Sequence, residues 1–202
     1  MRFIAIDLEL EQPSSHAQTA DSVINEEYII QAGIVVFELA AQEPTILHSE
    51  TMFVHYPHPV SKYIKALTSI TDEQVNEADT DIQSVVHRLA HLRSLFDTSR
   101  QIVEWGGGDV KAIQNQARLT SSAWHSFTGF ARSTINAKTL YQCYALANGI
   151  KAQGGLSKSM SKLKLQFKCT RYEDQNRGAH WAESDALNTA RIFNKLIELM
   201  RR

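Results

Sequence analysis

Asp7 and Glu9 are the first residues in this chain placed to do chemistry. They stand two apart in Arg2-Phe3-Ile4-Ala5-Ile6-Asp7-Leu8-Glu9-Leu10, a run that is otherwise apolar from Phe3 onward. Successive side chains in a strand alternate between its faces, so a strand here points both carboxylates the same way. Two neighbouring acids in apolar surroundings repel each other and resist burial. A hard divalent cation such as Mg²⁺ or Mn²⁺, which takes oxygen ligands, offsets that cost. Two further acids are distinguished by position. Asp109 follows Gly106-Gly107-Gly108, and Asp185 lies five residues after His180. Each has a plain structural explanation taken alone: Asp109 as a helix N-cap, His180 and Asp185 as capping or surface groups.

The elements that must hold these residues are readable in outline. Residues 28–39 are long and β-branched, which predicts a central strand, and residues 46–56 predict a third strand after a turn at 41–44. Short connections between these strands predict an antiparallel meander. Glu11-Gln12-Pro13-Ser14-Ser15 opens a polar stretch to Glu27 that reads as a loop leaving the first strand. Thr71 with Gln74 has the form of a capping box and predicts a helix start. A helix is expected over 80–96, with Ile82, Val85, Val86, Leu89 and Leu92 on one face. His87 and His91 sit four apart on it, but no suitable third ligand is near them, and a solvated face is the expectation. Residues 101–105 read as a short strand before the glycines, and Asp109 as the opening of a helix with Val110, Ile113 and Ala117 inward. The glycines lack the Gly-Lys-Ser/Thr of a phosphate loop. A short strand over 133–137, a helix capped by Thr139 and running to Ala147, a short helix over 156–165 and a last helix to Met200 complete the chain.

Bulk properties narrow the function classes. With 202 residues, 43% hydrophobic and 21% charged, the chain is expected to form one domain, residues 1–202, around a proper core. A net charge of −1 excludes a protein that coats nucleic acid by bulk electrostatics, though a chain end touches few phosphates. Locally, residues 151–177 carry seven Lys/Arg against Glu173 and Asp174, a segment able to meet phosphates or simply to face solvent. Cys143 and Cys169 share no metal-ligand spacing, and with no signal-like start they predict a reducing, cytoplasmic setting. No apolar run approaches the length of a membrane span.

Taken together, Ile6-Asp7-Leu8-Glu9, then Ile102-Val103-Glu104-Trp105 with its glycines and Asp109, then His180-Trp181-Ala182-Glu183-Ser184-Asp185 resemble the three motifs of the DEDDh 3′–5′ exonucleases. The five residues stand in order, and His-x4-Asp is the spacing that marks the histidine subtype. The resemblance extends over nearly the whole chain and includes Leu67-Thr68-Ser69-Ile70-Thr71. Within the family the chain looks most like the enhancer-of-RNAi type of exoribonuclease domain and its bacterial sporulation-inhibitor relatives. A departure lies at Leu10-Glu11, where many relatives have small residues or Thr; Glu11 there is expected to bring negative charge near the substrate path.

The resemblance implies an α/β, RNase H-like fold: a mixed five-stranded sheet flanked by helices. It implies two Mg²⁺ or Mn²⁺ ions held by Asp7, Glu9, Asp109 and Asp185, with His180 taking a proton from the attacking water and nucleoside 5′-monophosphates released from the 3′ end of single-stranded RNA or DNA. Leu8 and Leu10 are the implied neighbours of the terminal base. Trp105 and Trp181 flank motif residues and are able to stack on a base, although core packing is the more frequent fate of such tryptophans. RNA is the favoured substrate. The alternatives are a DNA 3′–5′ exonuclease of proofreading or repair type and a non-catalytic nucleic-acid-binding module, which a missing acid or histidine would favour; none is missing. Several relatives dimerise, and a homodimer is compatible with this chain.

Overall fold

A computed structural model describes residues 1–11, 27–118, 134–152, 154–170 and 180–201. The loop expected over residues 12–26 lies outside the described residues. β1 (Arg2–Glu11), β2 (Tyr28–Glu38), β3 (Thr45–Phe53), β4 (Ile102–Glu104) and β5 (Thr134–Asn136) form one five-stranded sheet in the order β3-β2-β1-β4-β5. The first three strands are the expected antiparallel meander, while β4 and β5 join β1 in parallel. The mixed sheet is therefore as expected.

Alternation along β1 decides where the helices go. Ile4, Ile6 and Leu8 face one side, where they meet α3 (Ile82–Phe96) and α4 (Asp109–Arg118) through residues such as Val85, Leu89, Leu92 and Ile113. Phe3 and Ala5 face the other side. They pack with Val35, Phe37 and Val103 against α5 (Ala137–Ala147), α6 (Leu156–Lys162) and α7 (Ala182–Met200). A third cluster beyond the end of β1 gathers Ile30, Tyr56, Val60, Ile64, Ile70, Val75 and Trp181 around α1 (Lys62–Thr68) and α2 (Asp72–Asn76).

Local chemistry accounts for the helix starts. The capping box at Thr71 is present, with Gln74 returning a bond to the Thr71 N–H. Asp81 caps α3 by accepting the Ser84 N–H at 2.7 Å. The cap of α5 is Asn136 rather than Thr139: its Oδ1 accepts the Thr139 N–H at 3.0 Å, because the end of β5 already has the extended backbone a cap requires. α1 was not expected. It is a short helix of 7 residues, capped by Ser61, that buries only Ile64 and Thr68, too few positions to leave a period in the sequence. His87 and His91 are exposed on α3, as expected of a solvated face. Cys143, exposed on α5, is a free thiol. Among the described residues no helix is long and apolar enough to cross a membrane.

Candidate metal centre and active site

The sheet brings all five motif residues to one end. Asp7 and Glu9 lie at the carboxyl end of β1, on the face covered by α7. Asp109 opens α4 just past the end of the adjacent parallel strand β4, and accepts a hydrogen bond from the Leu8 backbone N–H. Asp185 lies in the first turn of α7, where the helix dipole favours a carboxylate. His180 precedes that helix in a left-handed conformation (φ 70°), and its backbone N–H donates to Asp185 Oδ2 at 3.3 Å. Ligand atoms of Glu9, His180 and Asp185 lie within 4.8 Å of one another.

Three features on neighbouring elements hold α7 at this point. Gly33 pairs with Asp7 across β1 and β2, and a Cβ there would lie 2.1 Å from the Ala182 carbonyl carbon. Only hydrogen at that position lets the helix come so close. Gln31 pairs with Glu9, and its Oε1 accepts the Ala182 N–H at 3.1 Å. Glu183 accepts hydrogen bonds from the hydroxyls of Ser49 (2.5 Å) and Thr51 (2.9 Å) on β3, so the turn between His180 and Asp185 is tied to the sheet edge. Gly33 and Gln31 carry no motif signal, and Glu183 enters the third motif only as a spacer between His180 and Asp185. Gly33 and Gln31 read in sequence only as members of an apolar strand.

A β-bulge follows Glu9: Glu9 pairs with Gln31 but Leu10 with Ile29, so Ile30 is skipped. Bulges re-aim side chains beside functional sites. Here the extra residue lies on β2, and Leu10 still packs with Ile4, Ile6 and Leu8, so alternation along β1 leaves Glu11 on the face of Asp7 and Glu9. Glu11 is only 1% exposed, and its Oε2 accepts the Ser61 N–H at 2.8 Å. Its carboxyl group is held in a hydrogen-bonded interior site, away from solvent.

The electrostatics follow from gathering acids in a partly closed site. Burial pushes Asp7 well above the ordinary carboxylate range, and the charges of Asp109, Asp185 and Glu9 push it further. Burial, then Asp185 and Asp109, raise Glu9 to about 8. Asp109 is raised to about 7 by burial and by Glu104, against the lowering effect of the Leu8 N–H. Asp185 reaches about 6 by burial, held down by the His180 N–H. Four gathered carboxylates whose ionisation is opposed by burial, and in Asp7, Glu9 and Asp109 also by neighbouring acids, are a donor set suited to hard divalent cations, which would stabilise all four as anions.

The remaining sequence candidates are less open. Leu8 is 8% exposed within the α3–α4 core, and Trp181 is 6% exposed, its ring 5.7 Å from that of Phe53. Trp181 therefore serves as an anchor between α7 and the third cluster. Leu10 and Trp105 are partly exposed; Trp105 leans on Tyr141 of α5 at 6.2 Å between ring centroids. The basic segment is partly described. Its Lys168 pairs with Glu43 at 3.6 Å, while Lys151, Lys158 and Lys162 line a groove of about 420 Å³ beside α6.

No protein-family model matches the chain, and no curated protein matches it. Solved structures do. The nuclease domain of 3′hExo, a DEDDh family member bound to rAMP, superposes with a TM-score of 0.73 at 20% identity, over 98% of this chain and 92% of that one. A 3′-exonuclease that recognises the 3′ end of a histone mRNA stem-loop gives 0.72 at 19% identity, over 98% of this chain and 63% of that one. Exonuclease I of E. coli, in complex with a dA16 oligonucleotide, gives 0.64 at 15% identity, over 98% of this chain and 41% of that one. The chain thus spans just under two thirds of the histone mRNA exonuclease and less than half of the bacterial enzyme. Its fold is that of the RNase H-like nuclease domains of DEDDh 3′-exonucleases.

Proposed function

We propose that this protein is a metal-dependent 3′–5′ exonuclease that hydrolyses single-stranded nucleic acid, RNA in preference, to nucleoside 5′-monophosphates. The observation that carries the reading is the convergence of Asp7, Glu9, Asp109 and Asp185, from three separate elements, on one site that also holds His180. The four carboxylates would hold two Mg²⁺ or Mn²⁺ ions. Bound there, such ions neutralise the acids and stabilise charge developing on the phosphoryl oxygens and the leaving 3′ oxygen.

The chain's own groups supply the rest. His180 is exposed at the mouth of the site and accepts the proton of the attacking water, a task for which an imidazole is suited near neutral pH. Its left-handed backbone and its N–H bond to Asp185 set where the ring enters. Water attacks phosphorus, the bond to the 3′ oxygen breaks, and the terminal nucleotide leaves as the 5′-monophosphate. Leu10 and Trp105, both partly exposed, are the proposed contacts to the terminal bases. The preference for RNA rests on the resemblance of the motifs to the enhancer-of-RNAi type of exoribonuclease domain.

The experiment is product analysis on matched 5′-labelled single-stranded RNA and DNA, with Mg²⁺, Mn²⁺ or EDTA. A metal-dependent ladder shortening from the 3′ end is expected, faster on RNA. Faster shortening of DNA would select the repair or proofreading type. Binding of both strands without cleavage in either metal would leave a binding module.

A further inference from the structure

Glu104 is a buried carboxylate that the four-acid set does not use. It ends β4 and is 3% exposed. Its Oε2 accepts the backbone N–H of Gly108 at 3.4 Å and of Val110 at 3.2 Å. These two residues flank Asp109, so one carboxylate grips the main chain on both sides of a candidate metal ligand. The intervening loop is closed on the same group. Gly107 is left-handed (φ 77°), and a Cβ on it would lie 3.7 Å from Glu104 Oε1 and 2.8 Å from Asn136 Nδ2.

A helix cap alone needs no acid of this size here. Ser, Thr, Asn or Asp suffices to satisfy the first N–H groups of a helix. A full carboxylate in this place has a drawback, because it stands directly behind a second acid, Asp109, and like charges repel. The drawback disappears once cations occupy the site, and the extra negative charge then strengthens their retention. Outer groups that orient a metal's ligands act in this manner.

We propose that Glu104 is a positioning residue of the metal centre, holding Asp109 in place by its two backbone hydrogen bonds and adding negative charge behind it. The role rests on the metal-centre reading of Asp7, Glu9, Asp109 and Asp185. It is tested by calorimetric titration of the whole protein with Mn²⁺ alone, alongside melting temperatures, for the wild type, Glu104→Ala and Glu104→Gln. Glu104→Ala is expected to raise the Mn²⁺ concentration for half-saturation about 10–100-fold, the usual effect of removing such an outer group. Glu104→Gln keeps an acceptor oxygen and the shape but loses the charge, and is expected to fall between, weaker than the wild type by at least about threefold. A fall in melting temperature with an unchanged Mn²⁺ isotherm in Glu104→Ala would reduce Glu104 to a helix cap. Should Glu104→Ala not fold, Glu104→Gln with the wild-type isotherm would overturn the role. Wild-type protein that takes up no Mn²⁺ would instead remove the metal-centre reading, and the role with it.

Discussion

Gly33 lies directly across from Asp7, and the space its missing side chain leaves is filled by the backbone of Ala182 and Glu183. The sheet that carries Asp7 and the helix that carries Asp185 are thereby brought together by an absence of atoms. Substituting Gly33→Ala is expected to drive α7 away from the sheet, since the nearest atoms are main chain and cannot swing aside. Overpacking of this kind typically costs about 1–3 kcal/mol, or roughly 2–12 °C in melting temperature for a chain of this size. The displacement of Asp185 from Asp7 is expected to weaken Mn²⁺ binding at the same time. Calorimetry read beside a thermal melt checks both; a melt and an isotherm identical to wild type would mean the helix does not need this approach.

His180 invites a sharper question, because its ring lies within ligand distance of Glu9 and Asp185. An imidazole there is placed either to move a proton or to hold a cation. The proposed function takes the first. His180→Ala is then expected to lower kcat about 10²–10⁴-fold while leaving the Mn²⁺ isotherm and the affinity for a 3′-ended oligonucleotide near wild type. Loss of Mn²⁺ affinity in step with rate would make His180 a ligand. Undiminished hydrolysis would remove it from the chemistry.

The two tryptophans beside the motifs are expected to separate by readout. Trp181 is packed with Phe53, Ile30 and Tyr56, so Trp181→Ala is expected to cost about 3–5 kcal/mol of stability, the usual range for emptying a large aromatic site. Trp105 is partly exposed, and Trp105→Ala is expected to cost less stability and to raise KM for a single-stranded oligonucleotide by about fivefold or more, consistent with about 1–3 kcal/mol for a stacked base. Chemical denaturation and steady-state kinetics on both variants check the pair. A raised KM with unchanged stability in Trp181→Ala would reverse the assignment.

What was legible in the sequence follows from how local each signal is. Asp7 and Glu9 share a face because a strand alternates, and that needs no knowledge of the rest of the chain. The ordering of Asp109, His180 and Asp185 along the chain carried the resemblance, and the structure gathers them. The burial of Glu11 was not legible, because its hydrogen bond from the Ser61 N–H depends on where a distant segment of the chain runs. Gly33, Gln31 and Glu183 were silent for a related reason. Their work is to let one element approach another, which leaves no period or spacing behind. α1 was missed because seven residues with two inward positions do not make an amphipathic pattern. Glu104 read only as part of a strand end, since its hydrogen bonds to Gly108 and Val110 depend on how the glycine loop turns.

The raised carboxylates make the stability of the metal-free protein depend on pH with a definite sign. Glu9 near 8, Asp109 near 7 and Asp185 near 6 hold protons in the folded state that an unfolded chain releases at about pH 4. Where the folded state binds more protons, stability falls as pH rises. The fall begins above the unfolded values near pH 4 and levels off once the folded values are passed, above about pH 8. In EDTA, the melting temperature is therefore expected to drop between pH 5 and pH 8.5, contrary to the usual behaviour of paired carboxylates. Saturating Mg²⁺ or Mn²⁺ is expected to cancel the drop, because bound cations favour the anions, and metal affinity should rise over the same interval. Asp185→Asn removes one of the repelling charges without changing shape, and is expected to stabilise the metal-free protein at pH 8 by about 1–3 kcal/mol while weakening metal uptake. Melts of both proteins across this pH range, with and without Mn²⁺, decide the matter. A metal-free wild type whose stability is flat or rises from pH 5 to 8.5 would mean that the four acids do not repel one another in the folded chain, and the case for a cation between them would go with it.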